Sequence, residues 1–129
     1  MSAYVLDTSA LLAYLWREQG WERVEAVFAS EEVVMSAVNA TETIAKAIDL
    51  GLPEEAAQEL QSTFDFEQIP FDEASALDTA LLRSKTRHLG LSLGDRACLA
   101  LAKSRDAVAL TADRPWLDLD LGLRIECIR

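Results

Sequence analysis

The stretch AYVLDTSALLAYLW, residues 3–16, decides the fold. Its first four residues are a short apolar run rich in strand formers. Asp7-Thr8-Ser9 then supplies helix-starting side chains, and an apolar segment continues from Ala10 to Trp16. Asp7 therefore stands at the carboxyl end of a core strand.

The same alternation runs down the chain. A helix is expected over 21–29, and Val33-Val34-Met35 reads as a buried strand that stops at Ser36. A helix follows from about 39 to 50, with Val38, Thr41, Ala45 and Ile48 recurring at three- and four-residue spacing; Gly51 and Pro53 end it and start another over 54–64. Residues 66–69 read as a third strand. Pro70 breaks the chain, and 72–88 reads as one long amphipathic helix with Ala76, Ala80 and Leu81 on its inner side, closed by Gly90. Ser92-Leu93-Gly94-Asp95 opens a helix over 96–103, a fourth strand over 107–110 runs into Thr111-Ala112-Asp113, and 124–128 is a last strand. Strands alternating with helices pair in parallel through right-handed crossovers. The expected architecture is α/β: an open, mainly parallel sheet of four to five strands with helices on both faces, in one domain over 1–129.

Composition narrows the function. The chain has 129 residues, half of them apolar and 26% charged, the profile of a globular protein with one core. No stretch approaches the ~20 apolar residues of a membrane span, and MSAYVLDTSALL has no basic leader, so a cytoplasmic protein without a membrane partner is expected. Cys98 and Cys127 lie in apolar runs without a nearby His, and both read as buried, reduced thiols. The formal charge of −10 excludes a broad basic surface for nucleic acid. Either one spot does the gripping with a metal, or the acidic face serves a basic partner.

Four acids map to one place. In open α/β sheets ligands gather at the carboxyl ends of the strands. Asp7 ends the first strand, Asp113 follows the fourth, Glu42 lies a turn or two after the second, and Asp95 opens the helix before the fourth. Each also has a plain reading as a helix-start residue: Glu42 in the frame Asn39-Ala40-Thr41-Glu42, Asp95 three after Ser92 as in a capping box, and Asp113 before Arg114-Pro115 as an N-cap. Capping does not account for the apolar setting, since Asp7 extends a core strand and Asp95 shares a helix face with Cys98, Leu99 and Ala102. Carboxylates gathered at a partly dry edge repel one another unless a cation compensates. An all-oxygen ligand set selects a hard ion, Mg²⁺ or Mn²⁺, which activates water and polarises a phosphodiester.

VLDTSALLAYL, SAVNATETIAKA, LSLGDRACLALA and LTADRPW, spread over residues 4–116, resemble the motifs of PIN domains, in particular VapC-type toxins. The resemblance implies that Asp7, Glu42, Asp95 and Asp113 hold Mg²⁺ or Mn²⁺, with Ser9 and Thr111 as supporting hydroxyls. It also implies a PIN-like endoribonuclease that blocks translation by cutting structured RNA, is neutralised by a cognate antitoxin with a basic tail, and pairs as a homodimer through the helices between Asn39 and Phe64. Leu52, Leu60 and Phe64 are the apolar candidates there, for a dimer or an antitoxin contact.

Other residues have two readings. Arg83, Lys85, Arg87 and His88 form the one dense basic cluster, suited to RNA phosphates or to complementing a helix C-terminus. Arg96 and Arg114 adjoin site acids and can pair with them or touch substrate phosphate. Trp16, Trp21 and Trp116 can stack on bases or fill the core. A haloacid-dehalogenase-like phosphatase also starts from an Asp after its first strand, but Ser9 stands where its second acid belongs; a receiver domain lacks its paired acids here for the same reason. A catalytically silent scaffold of the same fold is the remaining alternative. The acidic balance predicts that a basic antitoxin tail binds by charge, so its affinity falls steeply as salt is raised; titrations at 50 and 500 mM salt giving equal affinity would refute this.

Overall fold

The structure is a computed structural model and describes residues 3–129. Five strands, β1 (Ala3–Leu6), β2 (Glu32–Ser36), β3 (Glu67–Ile69), β4 (Val108–Thr111) and β5 (Arg124–Cys127), form one sheet in the order β3-β2-β1-β4-β5, with every neighbouring pair parallel. Seven α-helices connect them among the described residues: α1 (Thr8–Trp16), α2 (Trp21–Ser30), α3 (Ala37–Asp49), α4 (Glu54–Thr63), α5 (Glu73–Leu81), α6 (Arg83–Thr86) and α7 (Leu93–Ser104). Short 3-10 turns lie at Arg87–Leu89 and Arg114–Asp118.

Alternation within the strands builds two cores. Tyr4 and Leu6, Val33 and Met35, and Val108 and Leu110 face one side, where Leu11, Val24 and Val27 of α1 and α2 cover them. Val5, Val34 and Ala109 face the other side against Leu99 and Ala102 of α7, with Trp116 and Leu121 below. A sheet buried on both faces requires such uninterrupted apolar strands. The order places β1 centrally, so the residue after Leu6 emerges at the middle of the carboxyl edge.

Two helices pack differently from their apolar patterns. α3 begins at Ala37, with Ser36 as its cap through a bond from the Val38 amide (3.2 Å), so the frame around Asn39 caps nothing. Its inner face is Asn39, Ala40, Thr43 and Ala47, while Thr41, Ala45 and Ile48 are exposed and Val38 is half-buried. The expected single helix over 72–88 is broken at Leu82 into α5, α6 and a 3-10 turn. Thr79, Leu82 and Thr86 face inward, and Ala76, Ala80 and Leu81 face outward. The physical reason is shared: threonines whose hydroxyls bond back to their own helix, Thr43 to the Asn39 carbonyl and Thr86 to that of Leu82 (2.8 Å each), occupy core positions that a hydrophobicity pattern assigns elsewhere.

Other placements differ too. Phe64 stacks on Phe66 with centroids 5.0 Å apart and, like Leu52 and Leu60, is half-buried rather than an open patch. Cys98 is buried as expected, but Cys127 on edge strand β5 is only half-buried. Gly20, at φ +94°, precedes α2 and lies so close to Ile128 that a Cβ there would strike the Ile128 carbonyl, pinning the α1–α2 turn to the end of β5. Arg23 of α2 reinforces the tie, donating to the Glu126 carboxylate and to the Tyr4 hydroxyl. No helix among the described residues is long and apolar enough to cross a membrane.

Leu6 is fully buried between central strands and α1. Leu6→Ala is expected to lower the unfolding free energy by about 2–5 kcal/mol, read from urea titration; a loss under 1 kcal/mol would contradict this packing.

Candidate active site

A cleft of about 570 Å³ opens at the carboxyl edge of the sheet, and Asp7, Glu42, Asp95 and Asp113 all line it. Four separate elements deliver them. β1 ends at Leu6, so Asp7 is the first residue past the strand and caps α1 by position. Glu42 comes from the second turn of α3, Asp95 from the first turn of α7, and Asp113 from the residue before the 3-10 turn after β4.

Asp7 is the most constrained. It is 2% exposed, and its Oδ2 accepts bonds from the hydroxyls of Ser9 (2.6 Å) and Thr111 (2.9 Å). Those hydroxyls are themselves held: the Ala112 amide donates to Ser9 Oγ (2.9 Å) and the Asp113 amide to Thr111 Oγ1 (3.0 Å). Ser9 and Thr111 thus relay the backbone after β4 onto the Asp7 carboxylate. Burial pushes the Asp7 pKa up to about 6, the two hydroxyls oppose that rise, and the charge of Asp95 adds to it. Cys98 lies beneath the same acids, and burial, then the charges of Asp7, Asp95 and Glu42, push its thiol well up, which keeps it inert.

Glu42 is positioned by residues that the sequence reading did not single out. Its Oε1 accepts from the Thr8 hydroxyl (2.8 Å) and, more distantly, from the Asn39 amide (3.4 Å), which also donates to the Gly94 carbonyl (3.0 Å). A Cβ at Gly94 would overlap the Glu42 carboxyl group, so glycine at this position leaves room for that carboxyl to lie against α7. Asn39 is fully buried with its Oδ1 unpartnered. The signals were present as Thr8 beside Asp7 and Gly94 beside Asp95, but no local pattern assigns them to Glu42.

Asp95 holds both of its roles. Its Oδ2 accepts from the Ser92 amide (3.0 Å) while Ser92 Oγ accepts from the Asp95 amide (3.1 Å), a complete capping box that also fixes the carboxylate at the cleft. Asp113 occupies the N-cap position but its side chain makes no capping bond. The capping reading therefore holds for Asp95 and not for Asp113.

The cations redistribute. Arg83, Lys85, Arg87 and His88 are exposed, and none of them lines the cleft; Lys85 borders a separate groove with Asp78 and Lys103. Arg96 reaches the Thr79 carbonyl (3.3 Å) and ties α7 to α5, and Arg114 donates to the Arg129 carbonyl (2.8 Å). The cations in the cleft are Lys46 and Arg129, neither foreseen. Trp116 is fully buried and unable to meet a base, Trp21 lies under the Arg17 guanidinium, and Trp16 is 43% exposed.

Residues 4–120 match the family model of the PIN domain. The chain belongs to the PIN-domain family. Solved PIN-like structures similar to it include DNA-bound VapBC from Salmonella typhimurium, with 21% identity, 100% of each chain covered and a TM-score of 0.75. VapBC2 from Rickettsia felis, bound to a promoter DNA fragment, is 17% identical over 97% of this chain and 98% of that chain, with a TM-score of 0.72. VapBC-5 from Mycobacterium tuberculosis, of the VapBC family of toxin–antitoxin systems, is 26% identical over 100% of this chain and 99% of that one, at 0.65. No curated protein matches the chain.

Among the described residues of this PIN domain, no three Asp, Glu, His or Cys side chains are gathered tightly enough to hold a metal ion as they stand. The donor chemistry nonetheless suits a hard dication: four carboxylates, one of them buried and raised in pKa by that burial, with no His in the cleft.

The Asp7 shift carries a pH signature. Its folded pKa of about 6 exceeds the usual 3.8, so the folded chain keeps a proton that the unfolded chain has released. The stability owed to this group is full below about 3.8 and lost as pH rises through about 6. Asp7→Asn, which cannot ionise, is expected to gain on the wild type by up to ~3 kcal/mol between pH 4 and pH 7.5 without divalent ions. Urea titrations showing a pH-independent difference would rule this out.

Proposed function

We propose that this PIN domain, taken as one unit over 1–129, is a divalent-metal-dependent endoribonuclease. We assign it to the VapC-type toxins, which inhibit translation by cutting structured RNA and are neutralised by a cognate antitoxin. The observation that carries the reading is the convergence of Asp7, Glu42, Asp95 and Asp113, from four elements, on one cleft. The similar VapBC structures are toxin–antitoxin proteins, and two of those described above are bound to DNA. A cytoplasmic protein that pairs as a homodimer and takes a basic antitoxin tail in its acidic cleft is part of the same reading.

In this proposal Asp7, Glu42, Asp95 and Asp113 hold Mg²⁺ or Mn²⁺. Bound there, such an ion supplies charge to a phosphodiester oxygen and lowers the pKa of a water. The chain's own residues do the rest. Ser9 and Thr111 fix the Asp7 carboxylate, Thr8 and Asn39 fix Glu42, and the Ser92 amide fixes Asp95, so three of the four acids are already oriented. Such preorganisation spares reorientation when substrate arrives. Hydrolysis adds the water oxygen to phosphorus, breaks the bond to the leaving oxygen and transfers a proton to it.

Purified chain is expected to cleave RNA with Mg²⁺ or Mn²⁺ and to stop with chelator. Loss of an outer-shell partner typically costs roughly 10- to 100-fold, which is the expectation for Ser9→Ala, and Asp7→Asn and Asp95→Asn should lose more than that while remaining folded by circular dichroism. Cleavage unchanged in the aspartate variants would mean a contaminating nuclease, and variants that still arrest growth would mean a scaffold.

A further inference from the structure

We propose that the acidic cleft continues into a nucleotide subsite formed by Trp16, Lys46, Leu50 and Arg129, which takes an unpaired RNA nucleotide next to the scissile phosphate. The inference rests on the nuclease reading above. A second cavity of about 520 Å³ adjoins the first, and Ser9, Leu12, Lys46 and Arg129 line both. They form one continuous groove.

Charge changes sign along that groove. The first part is lined by five acids (Asp7, Glu42, Asp49, Asp95 and Asp113) against the two cations; in the second part Glu18 is the one acid against the same two cations. In a chain of net charge −10, a locally cationic lining is a specific placement. The cations are also not neutralised. Among the described residues the one ion pair within 4 Å is Arg23–Glu126, so neither Lys46 nor Arg129 is paired despite five carboxylates in the cleft. The Arg129 guanidinium makes one long bond, to the Gln19 carbonyl (3.4 Å), and Lys46 is exposed.

Next to these cations stands an exposed indole. Trp16 is 43% and Leu50 62% exposed, and both line the second cavity. The other two tryptophans are engaged, one in the core and one under Arg17. An aromatic face beside unpaired cations is how single-stranded nucleic acid is gripped without sequence readout: the base stacks and the phosphates meet the cations. A basic peptide would be drawn to the acids but repelled from this half of the groove. The basic cluster from Arg83 to His88, outside the groove, has no part in it.

The test uses the full chain with Mg²⁺, steady-state cleavage of hexauridylate, and binding of phosphorothioate-linked hexauridylate, which resists hydrolysis. Trp16→Leu is expected to raise Kd and KM roughly 5- to 100-fold with kcat little changed, and to abolish the quenching of indole fluorescence on binding; Trp16→Phe retains most of the affinity. Lys46→Gln with Arg129→Gln is expected to flatten the slope of log Kd against log salt by about 1.4, or ~0.7 for each lost phosphate contact. Lys85→Gln and Arg87→Gln leave Kd unchanged. Wild-type affinity and KM in folded Trp16→Leu and Lys46→Gln/Arg129→Gln overturn the subsite and leave the nuclease reading intact. Variants that instead shift the chain from dimer to monomer at unchanged RNA affinity make the patch a self-interface and also overturn it. Binding by the wild type, lost in the variants, upholds the subsite whether or not the hexamer is cut; no binding of the hexamer by the wild type overturns the subsite, and the nuclease reading stands or falls separately on the RNA-cleavage assay above.

Discussion

A carboxylate placed in a position fit for a hydrophobic residue governs this molecule. Asp7 follows three buried strand residues, is itself almost fully buried, and has a backbone amide bonded to the Leu110 carbonyl as though the strand continued. Moving a charge from water to such a place is costly, and the fold answers with two hydroxyls on one oxygen, each anchored by an amide from the segment after β4. These bonds reduce the cost without cancelling it, since the pKa remains raised. What remains is an unmet demand for positive charge at the centre of the sheet edge.

The other acids amplify that demand. The Glu42 carboxyl of α3 occupies the space a side chain at Gly94 of α7 would take, one residue before Asp95. Stability is given up locally so that several negative groups can share one opening, an arrangement found where function rather than folding selects the residues. The apolar sheet and its two cores supply the rigidity that makes the sacrifice sustainable.

Much of this was legible in the sequence, for a definite reason. The acids lie at strand–helix junctions, and in a parallel sheet every such junction falls on the same edge, so locating Asp7, Glu42, Asp95 and Asp113 needed only the alternation of elements. Their supports divide by range. Ser9 is two residues from Asp7 and Asn39 three from Glu42, whereas Thr111 acts on Asp7 across 104 residues and Thr8 on Glu42 across 34, and the Gly94 contact arises only when α3 meets α7. The inner faces of α3 and α6 were hidden by buried threonines, Thr43 and Thr86, that satisfy their hydroxyls within the helix, and that of α5 by the buried Thr79. Nothing in the spacing of the basic cluster announces the break at Leu82 or its place outside the cleft, and Lys46 and Arg129, isolated in sequence, meet only in three dimensions.

The close seat of Gly20 against Ile128 has a mechanical meaning. β5 is the outermost strand on its side, held to β4 alone along one edge, and the α1–α2 turn is the buckle that fastens its far end. Arg129 lies one residue past that fastening, on the rim of the cleft, while the acids hang from the interior strand and the helices beside it. Were the buckle to slip, Arg129 would drift on the rim while the four acids, hung from interior elements, stayed where they are.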